Sequence, residues 1–171
     1  IVDPVILSKR YGVDAIRYFL LREVPFGSDG LFSNESLISR INSDLANDLG
    51  NFVSRTVAMI SSYFEGVIPD EKLSEEPDAD LEEALLRLPG AVEEYMEKLQ
   101  FSLALGEIWK VISRCNKYID ETTPWILGKN PEKKPRLAKV LFNLSEAIRI
   151  ISILISPMMP ATSKTIFETL G

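Results

Sequence analysis

Apolar residues recur every three or four positions over long stretches of this chain, and nowhere do they alternate with polar ones over a useful length. The clearest run covers residues 35–64, where Ile38, Ile41, Leu45, Leu49, Phe52, Val53, Val57, Ile60 and Phe64 trace one side of a single amphipathic helix of about 30 residues. Ahead of it, Asp3 and Pro4 have the character of an N-cap and first helical position, opening a short helix that stops near Gly12. A second helix follows in VDAIRYFLLREV with Asp14 as its cap, and PFGSDGLFSNES then leaves room for at most a very short strand. Ser33 or Asn34 caps the long helix, and an acidic, Pro-bearing loop ends it. A third helical region over 79–121 carries a kink or short break at Pro89-Gly90. TTPWILGKNPEKKP connects it to helices over 132–155 and 158–170, parted at Ser156-Pro157. The pattern predicts an all-α helical bundle over 34–171 with an N-terminal helical appendage over 1–33.

Composition removes several function classes. The chain has one cysteine, Cys115, and no histidine, which excludes an internal disulfide, Ser-His-Asp and Cys-His catalysis and the usual zinc sites. No acidic spacing demands a metal, so neither a catalytic nor a metal site is expected. The longest apolar run, IISILIS, falls far short of the roughly 20 residues that span a bilayer, and no leader opens the chain, so the sequence reads as soluble and intracellular. The formal net charge of −6 is unevenly spread. Residues 70–97 hold eleven acidic against two basic side chains, whereas 110–139 holds eight basic against three acidic ones, so the sum says little about partners.

Two local features stand out. ANDLGNFVSR places Asn47, Asp48, Gly50 and Asn51 inside the long helix, although all are poor helix formers. At about 100° per residue Asp44, Asn47, Asp48, Asn51 and Arg55 share one strip opposite the apolar face. A solvated face would ordinarily use Glu, Lys, Gln and Arg. Asn51 and Arg55, four apart, instead offer an amide beside a planar five-donor fork, a pairing suited to the edge of an unpaired base. The second feature is ETTPW. Trp109 has the spacing of a core residue, with Leu105, Ile108 and Ile112. Trp125 follows Pro124 in a polar connection just past the acidic helix end at Asp120, as either a packed corner residue or a stacking platform for a base.

Taken in order, IVDP, YGVDAIRYFLLREVPFGSDGLFS, INSDLANDLGNFVSR, NKYIDETTPW and ISPMMP resemble the C-terminal, anticodon-binding part of bacterial methionyl-tRNA synthetases over essentially the whole chain. The helical bundle alone is shared with class I synthetases for isoleucine, valine, leucine and cysteine; the Asn51, Arg55, Trp125 set argues for methionine. Neither the KMSKS loop nor the HIGH-type motif of that family is present, so the chain resembles a fragment, expected to be inactive by itself and to carry no cofactor. The resemblance implies a parent enzyme that attaches methionine to its tRNA with ATP and Mg in a catalytic domain of the same chain, in the cytoplasm, while this bundle reads the CAU anticodon. It assigns Asn51 and Arg55 to base edges, Trp125 to stacking, Pro124 to support of that loop and Asp120 to the rim of the anticodon pocket, where it would repel wrong anticodons. It makes residues 1–33 a stem-contact segment linking catalysis to the bundle, with Lys9, Arg10 and Arg17 as candidates for tRNA backbone phosphates. The alternative without RNA is a helical adaptor that docks a protein partner on the acidic 70–97 face.

Overall fold

A computed structural model describes residues 3–72 and 74–171; Ile1 and Val2 of the IVDP motif, and Leu73, lie outside the described residues. Its elements are α1 (Pro4–Tyr11), α2 (Val13–Glu23), α3 (Asn34–Arg40), a π-helical segment (Ile41–Gly50), α4 (Asn51–Phe64), α5 (Glu76–Glu97), α6 (Phe101–Thr122), α7 (Pro124–Leu127), a 3₁₀ turn (Pro131–Lys133), α8 (Lys134–Ile155) and α9 (Pro160–Leu170). There is no strand among the described residues. The all-α bundle expected from the apolar period is what forms. α8 is buried along most of its length and runs through the middle, packing Leu141, Leu144, Ile148 and Ile151 against α4, α5, α6 and α9.

Local signals account for most helix ends. The Asp3 carboxylate accepts the Val5 and Ile6 amides, Pro4 occupies the first position of α1, and Gly12 at φ 89° ends it. Ser33 Oγ accepts the Ser36 amide and caps α3. Asp14 does not cap its own helix. Gly12 turns the chain so that α2 starts at Val13, and the Asp14 carboxylate accepts the Thr162 amide at 2.6 Å, capping the first turn of α9 instead.

The region read as one interrupted helix over 79–121 is two helices packed along each other, and the break is not at Pro89-Gly90. Pro89 removes a single ladder bond, and burial of Leu81, Leu85, Leu88 and Val92 on one face keeps α5 continuous through it. The chain reverses at Leu99, which takes the left-handed conformation at φ 55° while the Gln100 amide returns to the Tyr95 carbonyl at 2.8 Å.

The long helix is continuous from α3 through α4 but changes pitch. Ten residues adopt the wider π turn, in which each amide reaches back five residues rather than four. This rotates the side chains out of the register of a straight α-helix, so the polar strip is not one exposed face. Asp44 is buried, accepting Tyr18 Oη at 2.6 Å and an Arg40 nitrogen at 3.0 Å. Gly50 belongs to the same geometry: a Cβ there would lie 3.0 Å from the Leu45 carbonyl oxygen, five residues back. Gly50→Ala is therefore expected not to raise the melting midpoint, although helix propensity alone would contribute about 1 kcal/mol in its favour. A clear rise in a thermal melt would show that the Leu45 carbonyl gives way at no expense.

α2 joins two cores. Tyr18 enters the main one, its ring 4.5 Å from Trp109, which is buried as its spacing predicted. Ile16 and Phe19 form a smaller core with Leu37, flanked by Leu7, Tyr11, Phe32 and Ile41. Arg40 also pairs with Glu23, so the N-terminal helices are tied to the head of the long helix by charge as well as by apolar contact. Among the described residues no helix is long and apolar enough to cross a membrane.

Candidate nucleic-acid interface

Three of the candidate side chains, from three helices, meet at one end of the bundle. Arg55 projects from α4, one turn after Asn51. Its guanidinium carbon stands 5.8 Å from the centroid of the Trp125 indole, and one of its nitrogens lies 3.4 Å from Asp120 Oδ1 at the end of α6. Trp125 is 39% exposed, in contrast to the buried Trp109. Asn51 is exposed, and its side-chain amide has no hydrogen-bond partner among the described residues. An open amide, a guanidinium held beside an indole, and a half-bare aromatic ring form a surface equipped for hydrogen bonding to a planar group and for stacking on it. The Arg55–Asp120 pair is largely solvated, with side chains 40% and 69% exposed, so the ion pair contributes at most about 1 kcal/mol and yields readily to a better acceptor.

The loop bearing Trp125 is held by its neighbours. α6 ends at Thr123, whose left-handed backbone (φ 42°) turns the chain, and Thr122 Oγ1 donates to the Tyr118 carbonyl at 2.7 Å. Pro124 is buried at the first position of α7, and Leu127 packs against the main core. Trp125 is thereby left pointing outward between two anchored residues. One further contact carries no signal in the sequence pattern: Gly128 sits against the ring of Tyr63 from α4, where a Cβ would come within 2.4 Å of a ring carbon. Gly128→Ala is expected to destabilise by about 1 to 3 kcal/mol, as overpacked sites do, and to displace α7 from α4. Urea melts read the first effect and Trp125 fluorescence the second; unchanged values in both would show that Tyr63 swings away freely.

Beneath the loop lies a buried charged network. Asp78, fully buried at the head of α5, accepts two hydrogen bonds from Arg136 of α8 at 2.6 and 2.9 Å, one from Tyr118 Oη of α6 at 2.5 Å, and one from the Glu75 amide at 2.9 Å. Burial alone would push this carboxyl up, but the hydrogen bonds from Arg136, Tyr118 and the Glu75 amide outweigh it and hold the group below the ordinary carboxylate range. Arg136 also contacts Glu75 at 3.1 Å, Lys139 contacts Glu82 at 2.8 Å, and Arg114 contacts Glu121 at 3.0 Å. Much of the basic stretch over 110–139 is thus matched to carboxylates, two of them, Asp78 and Glu82, on α5, and does not form one free positive patch. Lys129 and Lys133, in the connection just past Trp125, make no ion pair among the described residues.

The candidates in the N-terminal segment lie elsewhere. Lys9 and Arg10 are exposed in the last turn of α1, Arg10 with its guanidinium 5.3 Å from the Tyr11 ring. Arg17 is committed within the fold: Nε donates to the Met158 carbonyl and Nη2 to the Pro157 carbonyl, both at 2.7 Å, fastening the α8–α9 turn to α2.

Residues 78–171 match the family model described as the anticodon-binding domain of tRNA ligase. The chain belongs to that family. Residues 1–57 match a second model, described as tRNA synthetases class I (M). Over its full length the chain is 66% identical to the methionine–tRNA ligase of Caldanaerobacter subterraneus, of which it covers 27%, and 51% identical over 172 aligned residues to that of Bacillus subtilis, of which it covers 26%. It superposes on Mycobacterium tuberculosis methionyl-tRNA synthetase bound by methionyl-adenylate with a TM-score of 0.94 at 39% identity, covering 98% of this chain and 34% of that one. The chain thus spans about a quarter of the length of the curated relatives it matches, and the resemblance read from IVDP to ISPMMP is borne out. The chain carries Arg55, Asp120 and Trp125 on adjoining helices, with Asn51 one turn from Arg55.

Proposed function

We propose that this domain reads the CAU anticodon of methionine tRNA for a parent enzyme that attaches methionine to that tRNA, using ATP and Mg in a catalytic domain of the same chain in the cytoplasm. The observation that carries the reading is the Arg55–Trp125 pair, a five-donor fork held beside an exposed indole, with the open Asn51 amide one turn away. In the proposed complex Trp125 stacks on the first anticodon base, while Asn51 and Arg55 hydrogen-bond base edges. Pro124, buried below, keeps the indole outward. Asp120 holds Arg55 in the free protein and disfavours bases that present acceptors to it. Lys129 and Lys133 supply charge toward the anticodon-loop phosphates.

Residues 1–33 are proposed as the stem-contact segment linking the catalytic domain to the bundle, with Lys9 and Arg10 facing tRNA backbone phosphates. Arg17, exposed like them, is proposed for a backbone phosphate as well, while its Nε and Nη2 bonds to main-chain carbonyls hold that segment to the α8–α9 turn. Binding of a CAU anticodon stem-loop to the 171-residue chain is expected to weaken steeply as salt rises from 50 to 200 mM, because phosphate contacts release counterions. Binding that ignores salt, or none at low salt, contradicts the reading and favours a protein-docking role for the acidic α5 face.

A further inference from the structure

The π segment ends at Gly50, immediately before Asn51, and its carbonyls are engaged from outside. Two side chains of α6 reach them: Trp109 Nε1 donates to the Asp44 carbonyl and Asn116 Nδ2 to the Asp48 carbonyl, each at 3.2 Å. Trp109 and Asn116 are seven residues apart, two turns along one face of α6, and Asp44 and Asp48 lie on successive turns of the π segment. The two donors therefore form a ladder across the helix pair. Trp109 is a core residue whose indole has a further packing role against Tyr18. Asn116 is only part-buried, and its described contact is this one bond.

The Asp48 carbonyl marks the point where the wide turn closes into α-helix. The Asn51 amide reaches both the Ala46 carbonyl, five residues back, and the Asp48 carbonyl, three back. Asn116 thus grips the oxygen at the π-to-α junction. Where that junction falls sets the rotational phase of everything after it, since each residue inserted or removed from the wide turn would swing α4 by about 100°. Arg55 meets Asp120 and Trp125 only in the phase observed. α6 bears on both ends of this arrangement: Asp120, which pairs with Arg55, is one turn beyond Asn116.

We infer that Asn116 is a positioning residue for base reading, its amide holding the Asp48 carbonyl in the π turn and so aiming Asn51 and Arg55 at the base stacked on Trp125. The inference rests on the anticodon-reading assignment above. It also supplies a reason for the poor helix formers before Asn51: a uniform α-helix through that stretch would leave no carbonyl displaced for Asn116 to hold.

The test compares binding of a CAU stem-loop and a stem-loop with the first anticodon base changed, by fluorescence anisotropy at one salt concentration, for the unchanged chain, Asn116→Ala, Asn116→Gln and Arg55→Ala, with melts alongside. Asn116→Ala is expected to lose about tenfold of the preference for CAU, the size of one well-made base contact, while its affinity for the variant stem-loop and its melting midpoint stay close to those of the unchanged chain. Asn116→Gln, which keeps the donor, is expected to retain most of the preference. A preference lost in Arg55→Ala but kept in Asn116→Ala overturns the clamp and leaves base reading standing. Preference kept in both overturns base reading and the clamp with it. Equal weakening toward both stem-loops in step with a lowered midpoint shows a merely structural bond and also overturns the inference.

Discussion

Asp78→Ala is expected to remove about 3 to 5 kcal/mol of stability, the largest effect of any single substitution considered, because it strands a buried guanidinium. Arg136 is 8% exposed, and without Asp78 the acceptor left to it among the described residues is Glu75, at 3.1 Å from Nε. Tyr118 Oη would lose its short bond at the same time, and the capping box that starts α5, in which the Asp78 carboxylate accepts the Glu75 amide, would be lost. The pH dependence follows with a definite sign. The folded carboxyl titrates below its unfolded value of about 3.9, so its contribution is fully present above that pH and is lost as pH falls through the folded value. Acid unfolding of the unchanged chain should therefore be steeper below about pH 4 than that of Asp78→Ala, whose stability lacks this component. Urea melts at pH 7 and pH 3 measure both; a loss under 1 kcal/mol at pH 7 would show that water reaches Arg136 and replaces the carboxylate.

Removing the indole of Trp125 should act on binding and not on folding. A core tryptophan truncation takes about 3 to 5 kcal/mol of stability, but Trp125 is 39% exposed and its neighbours Pro124 and Leu127, not the indole, anchor α7. Trp125→Ala is expected to weaken binding of the CAU stem-loop by about 1 to 3 kcal/mol, with a nearly unchanged melting midpoint and little change in base preference, since every base has a face to stack. A large fall in the midpoint would instead make Trp125 a packed corner residue.

The residues that could be read along the chain were those whose physics is local. Asp3, Pro4, Gly12 and Ser33 bring their partners within a few positions, and the three-to-four spacing of Leu105, Ile108, Trp109 and Ile112 announces a buried face by itself. What escaped depends on partners far along the chain. Asp14 caps α9, 148 residues on, where the sequence shows only a plausible cap for α2. The π segment bears the mark of poor helix formers, but its pitch is stabilised by Trp109 and Asn116, 65 and 68 residues past the carbonyls they hold. Leu99 reverses the chain in a conformation that usually signals itself by glycine, while Pro89, the residue that looked like a break, is carried through by burial. In the site, the resemblance named Arg55, Asp120 and Trp125, and the fold brings them together. It could not name Asn116 or the Tyr63–Gly128 contact, because neither residue of that contact has an unusual type for its element.

Arg55 is proposed to read a base edge from its place between Asp120 and Trp125. The most direct measurement is the ratio of affinities for a CAU stem-loop and a one-base variant, taken for the unchanged chain and for Arg55→Ala under one salt condition. Arg55→Ala is expected to lose about 1 to 3 kcal/mol toward CAU, with discrimination at one base largely erased and the melting midpoint kept. An Arg55→Ala chain that binds more weakly to both RNAs but prefers CAU as strongly as before would contradict it, reducing Arg55 to a phosphate contact.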